Sequence, residues 1–244
     1  MSETGVELTS SVETTNKNNP EVRFKKLAEN TGGILSPIKD PNVQESISFV
    51  INYNVGEPAP AGTIRVYRGV RNVPTIEATQ FPSLLKTDHV DQELTDLTIE
   101  LANNPSSEIF NKLRNKNDQL GNDNYFIDKA EKFISKTMEE NDNDYLDAFR
   151  SMHRYENTAS PFVSAANSFT DAFSYSMMDD RPGMVIVADI PKSLVTHDFS
   201  GGFDKEVSVK GPIEQKYFKS ILLVEKRHSI KDQSFIESAK KLIK

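Results

Sequence analysis

Thr63-Ile-Arg-Val-Tyr-Arg-Gly-Val70 is the stretch on which the fold turns. Its residues alternate as those of a half-buried strand do, with Ile64, Val66 and Arg68 on one face and Thr63, Arg65 and Tyr67 on the other. Arg68 therefore shares a face with apolar side chains. A cation there needs an anionic or hydrogen-bonding partner, because an unpaired buried charge is costly. The alternative is an edge-strand arginine whose stem lies along the sheet while its head reaches water.

Strand signals recur on both sides of this stretch. Upstream, a short helix is expected over Glu21 to Asn30, and turn residues surround the apolar run Ile47-Ser-Phe-Val-Ile51. Downstream, Pro161-Phe-Val-Ser164, Gly183 to Ile190 (GMVIVADI) and Lys219 to Glu225 (KSILLVE) have strand length. The turn-rich Ser200-Gly-Gly-Phe203 leads into Asp204-Lys-Glu-Val-Ser-Val209, which alternates again. Between about 90 and 155 the spacing becomes helical: Val90, Leu94, Leu97 and Leu101 mark one helix, and Phe126, Ala130, Phe133, Ile134 and Met138 another. Ser168-Phe-Thr-Asp171 has the form of a capping box opening a helix through Ala172, Phe173 and Tyr175. Phe235, Ile236, Ala239, Leu242 and Ile243 describe a closing amphipathic helix. Strands and helices in this mixture indicate an α+β protein.

Composition narrows the organisation and the chemistry. A chain of 244 residues suits one domain with a terminal extension. Residues 1–20, rich in Ser, Thr, Asn and Glu, read as a flexible tail, leaving 21–244 as a single domain with a helical insert at about 90–155. A net charge of −7 argues against phosphate-backbone binding, so no nucleic-acid partner is expected. With no cysteine, disulfides, zinc–thiolate sites and thiol nucleophiles are excluded. No run approaches the roughly 20 apolar residues of a membrane helix, and the N-terminus lacks a signal-peptide stretch; a cytosolic site of action is expected, in the producing cell or a recipient one.

Metal and nucleophile readings find little support. The acidic run Glu139 to Asp144 lacks the Gly and terminal Glu of an EF-hand loop and reads as a solvated connection. His89, His153, His197 and His228 show no metal spacing, so each is assigned to the surface or the core, and no metal is expected. There is no G-x-S-x-G elbow, Walker motif or G-x-G-x-x-G.

Three segments in order resemble the mono-ADP-ribosyltransferase family, over about residues 63–225. They are Val66-Tyr-Arg68-Gly69, Ser160-Pro-Phe-Val-Ser164-Ala-Ala-Asn-Ser-Phe, and Gly201-Gly-Phe-Asp204-Lys-Glu206-Val-Ser-Val-Lys-Gly211. The resemblance implies two small, mostly antiparallel sheets forming an NAD⁺ cleft, with helices on one side. It implies transfer of ADP-ribose from NAD⁺ to a protein side chain, preferably arginine, with release of nicotinamide. Water as acceptor would give an NAD⁺ glycohydrolase, and lost turnover a binding module on the same fold.

By the same resemblance Glu206 stabilises the ribosyl cation, Ser164 orients it or the ribose, and Asp204 faces the acceptor. Arg68 and Gly69 contact NAD⁺. Phe162 is the aromatic nearest Ser164; it and Phe173 suit the core better than stacking on nicotinamide, although Phe162 stands among the implied NAD⁺ contacts. The chemistry fits the residue types: breaking the ribosyl–nicotinamide bond develops positive charge on the sugar, which a fixed carboxylate stabilises, and a guanidinium suits phosphate oxygens. Two departures stand out. Ser164-Ala165-Ala166 replaces the family's common Ser-Thr-Ser, and Asp204 is shorter than the usual Glu or Gln. Toxins, injected effectors and phage enzymes share this unit, so the expected partner is an acceptor protein of a host cell, reached by a route independent of a signal peptide. The sequence carries no sign of oligomeric state.

Overall fold

The computed structural model describes residues 20–38, 48–53, 58–71, 84–85, 91–141, 145–155, 157–178, 183–196, 206–224 and 233–243. The N-terminal tail up to residue 19, the loop bearing Phe203 and Asp204, and His89, His197 and His228 lie outside them.

The protein is α+β, built on one antiparallel sheet. Its strands are β1 (Ile34–Pro37), β2 (Ser48–Asn52), β3 (Thr63–Arg71), β4 (Phe162–Ala166), β5 (Gly183–Pro191), β6 (Val195–Thr196), β7 (Glu206–Lys210) and β8 (Phe218–Val224). They lie in the order β1-β2-β8-β5-β3-β4-β7-β6. The expectation of two small sheets is thus corrected, and the reason is local. β3 pairs with β5 along its whole length, from Thr63↔Pro191 to Arg71↔Gly183. With β4 it shares a single pair, Tyr67↔Ala166, and that pair joins a five-stranded part to a three-stranded one. Past this seam β3 and β4 have no ladder between them.

Helices cover both faces of the sheet, not one. β2, β5 and β8 are mostly apolar, and they are buried along both faces apart from Pro191 at the end of β5. A strand without a polar face must be covered twice. Helix α1 (Pro20–Thr31) supplies Phe24 and Ala28 to one face, against Phe49, Ile51, Ile186 and Ile221. It ends in a Schellman cap: Gly32 at φ 70° lets its own N–H reach Glu29 O and the Gly33 N–H reach Ala28 O. Helices α6 (Phe169–Ser176) and α7 (Gln233–Leu242) cover the other face with Phe169, Phe173, Phe235 and Ile236. Ser168 occupies the N-cap of α6, but its side chain makes no cap bond, and to that extent the capping-box reading fails.

Among the described residues, four helices lie between β3 and β4 and pack on a core of their own: α2 (Gln92–Asn103), α3 (Ser107–Gln119), α4 (Tyr125–Asn141) and α5 (Tyr145–Tyr155). Asp91 caps α2 by accepting the Leu94 N–H, and Ser106 caps α3 by accepting that of Ile109. Helix α4 runs through Glu139 and Glu140 to Asn141, so the acidic run begins as helix rather than as connection. Phe162 on β4 belongs to the same cluster and ties the insert to the sheet.

Candidate functional site

The site gathers where β3 and β4 part. Arg68 is the first residue of β3 beyond the seam, and its Nη1 donates to the backbone carbonyl of Ser164 on β4. Its Nε is buried and has no hydrogen-bond partner. Burial draws the guanidinium below the ordinary arginine value, opposed only by a weaker pull from Tyr175. Arginine keeps its charge in proteins, so the group remains a cation. No carboxylate among the described residues pairs with it. Arg68 thus finds a hydrogen-bonding partner on β4 while its side chain stays partly exposed.

Gly69 has a packing task. A Cβ built on it would stand 2.1 Å from the carbonyl oxygen of Ala172, and one on Gly183 in β5 would stand 2.4 Å from that of Ser176. The two glycines let the backbone of α6 lie directly on β3 and β5.

Ser164 and Glu206 meet through a histidine. On paired β4 and β7, Ser164 faces Ser208 and Ala166 faces Glu206, so their side chains share one side of the sheet. His153 of α5 reaches over them. Its Nε2 lies 3.1 Å from Ser164 Oγ, 3.4 Å from Ser208 Oγ and 3.6 Å from Glu206 Oε1. Its Nδ1 lies 2.7 Å from Ser160 Oγ, which also accepts the Phe162 N–H at 3.1 Å. The imidazole is 5% exposed, whereas the Glu206 side chain is 42% exposed and so open to a ligand.

Phe162 packs edge-on against Phe149 and His153, with ring centroids 6.3 and 5.6 Å away, and is 4% exposed. Its ring is enclosed by the insert, so it supports His153 and offers no face to nicotinamide, contrary to its place among the implied NAD⁺ contacts. Phe173 is likewise core. Ala165 is buried against the α1 side of the sheet, and Ala166 sits at the seam between Tyr67 and Glu206. Asp204 falls outside the described residues.

Ser164 neighbours each of the other two: its carbonyl accepts the Arg68 Nη1, and its hydroxyl shares His153 with Glu206. By register Arg68 lies on the sheet face of Val66 and Ile186, whereas Ser164 and Glu206 lie on the face of Tyr67 and Ala166. The sequence reading missed His153 and Ser208. Ser208 was within reach, because period two puts it on the strand face of Glu206. His153 follows the apolar Ala148, Phe149 and Met152 on α5, a spacing that signals burial but names no partner. Among the described residues no group of His, Asp and Glu could hold a metal ion, and no helix is long and apolar enough to cross a membrane.

Compared with known proteins, the chain matches no family model, no curated protein and no solved structure.

Proposed function

We propose that the protein transfers ADP-ribose from NAD⁺ to a protein side chain on a mono-ADP-ribosyltransferase-like scaffold. The observation that carries the reading is the partly buried guanidinium of Arg68. Among the described residues it has no carboxylate partner, its Nε is buried and unsatisfied, and its Nη1 donates to the Ser164 carbonyl. A cation in that state is stabilised by an anionic ligand, and the diphosphate of NAD⁺ offers oxygens in the plane of its donors.

With the diphosphate at Arg68, Glu206 faces the developing ribosyl cation. The bond from ribose C1′ to the nicotinamide nitrogen breaks, and its electron pair leaves with neutral nicotinamide. The acceptor nitrogen or oxygen then bonds C1′ and gives up its proton, for which the Asp204 carboxylate is the assigned base. Nicotinamide departs from a cationic ring, so no strong general acid is needed, and one placed carboxylate carries the electrostatic stabilisation.

The test is incubation with NAD⁺ labelled on its adenylate, with and without cell lysate, beside Glu206→Gln. Labelled lysate protein that disappears with the variant is the expected result. Free ADP-ribose without labelled protein would replace the acceptor by water and make the protein a glycohydrolase. Tight NAD⁺ binding with neither product would leave a binding module.

A further inference from the structure

We infer that His153 is a positioning residue for Glu206 and Ser164, supplied to the site by the helical insert; the inference rests on the function proposed above. It begins from the hydroxyl of Ser160. That oxygen accepts the Phe162 N–H, so its own proton is available to His153 Nδ1 at 2.7 Å. An Nδ1 that accepts leaves the ring proton on Nε2, the nitrogen aimed at Ser164, Ser208 and Glu206. One N–H thus stands before three oxygens on two strands.

The geometry gives this proton a purpose. Glu206 is the first residue of β7 and pairs with Ala166 of β4. The imidazole at 3.6 Å comes from α5, where Phe162 packs edge-on against it. Ser164 and Ser208, paired across β4 and β7, lie within 3.4 Å of the same nitrogen. Helix α5 therefore sets the carboxylate and the serine in one frame, and a small displacement of a reacting group costs rate steeply.

Two variants separate this role from core filling. His153→Phe keeps a ring against Phe162 and loses the N–H, whereas His153→Gln restores a donor at a comparable reach. We expect His153→Phe to lower kcat for nicotinamide release by about 100-fold with KM for NAD⁺ within about twofold. His153→Gln should recover to within about 10-fold of the parent, because the donor and not the ring carries the effect. Parent-like turnover in His153→Phe, beside an inactive Glu206→Gln, would overturn the inference while sparing the proposed function.

A second readout needs no turnover. Imidazole ¹⁵N spectra at about pH 8, above the ordinary histidine range, should show His153 as the Nε2–H tautomer. The signal is assigned by its loss in His153→Phe, and it should shift in both Ser160→Ala and Glu206→Gln. An Nδ1–H tautomer, or an Nε2 signal indifferent to Glu206→Gln, would overturn the inference whether or not the protein cleaves NAD⁺. An active Glu206→Gln enzyme would sink the proposed function alone, and the spectra would still decide the case of His153.

Discussion

Gly69→Ala adds one methyl group and tests what that glycine is for. The new Cβ would stand 2.1 Å from the Ala172 carbonyl oxygen and 3.2 Å from the Ser176 nitrogen, both backbone atoms of α6. A carbon and an oxygen in contact sit more than 1 Å further apart than the first distance, so α6 must retreat or β3 must bend. Either movement loosens Phe169, Ala172 and Phe173 from their seats against β3 and β5. Overpacking of this kind costs about 1–3 kcal/mol. The alanine recovers under about 1 kcal/mol by restricting the unfolded chain, leaving a net loss of about 2 kcal/mol. For a protein of this size that lowers the melting temperature by about 4–8 °C. Denaturant and thermal unfolding of the variant measure the loss, and titration with NAD⁺ measures binding alongside. A variant as stable as the parent but weakened for NAD⁺ would refute the packing argument and leave Gly69 to the nucleotide.

Arg68→Lys should leave the melting temperature within a few degrees of the parent and raise the Kd for NAD⁺ about 10- to 100-fold. It exchanges a planar fork for a point charge and forfeits about 1.5–3 kcal/mol of charge-assisted bonding; calorimetry reads the loss, and unchanged affinity would remove the diphosphate from Arg68. Asp91→Ala should cost about 1 kcal/mol at neutral pH through loss of the α2 cap. The Leu94 N–H, and behind it Lys116, hold the Asp91 carboxyl below the ordinary aspartate value. The stabilisation is therefore present above about pH 4 and fades as pH falls through the lowered value. Parent and variant melting curves should converge in acid, and a gap that widens there would contradict the cap.

The central strands were legible because they are largely apolar runs: GMVIVADI and KSILLVE became β5 and β8, buried on both faces. That character also implied cover on both faces, which the family resemblance had set at one. The number of sheets was illegible, since it rests on the contact of Tyr67 with Ala166, two residues with no complementary signature in the chain. Helix α3 was passed over although Ser106, Phe110 and Leu113 mark a cap and an apolar face. At the site, strand phase put Arg68 on an apolar face, while Ser164 and Glu206 were picked out by the family resemblance. His153 was not, because its partners at 160, 164, 206 and 208 meet it only through the packing of α5 on β4. The packing task of Gly69 was equally illegible, because the backbone it meets lies far along the chain, at Ala172.

The central claim is that Glu206 stabilises a ribosyl cation formed from NAD⁺, and nicotinamide release tests it most directly. Purified protein should liberate nicotinamide from NAD⁺ in the presence of an acceptor, and Glu206→Gln, equal in melting temperature and in affinity for NAD⁺, should release it at least about 100-fold more slowly. Release at the parent rate by Glu206→Gln would contradict the account.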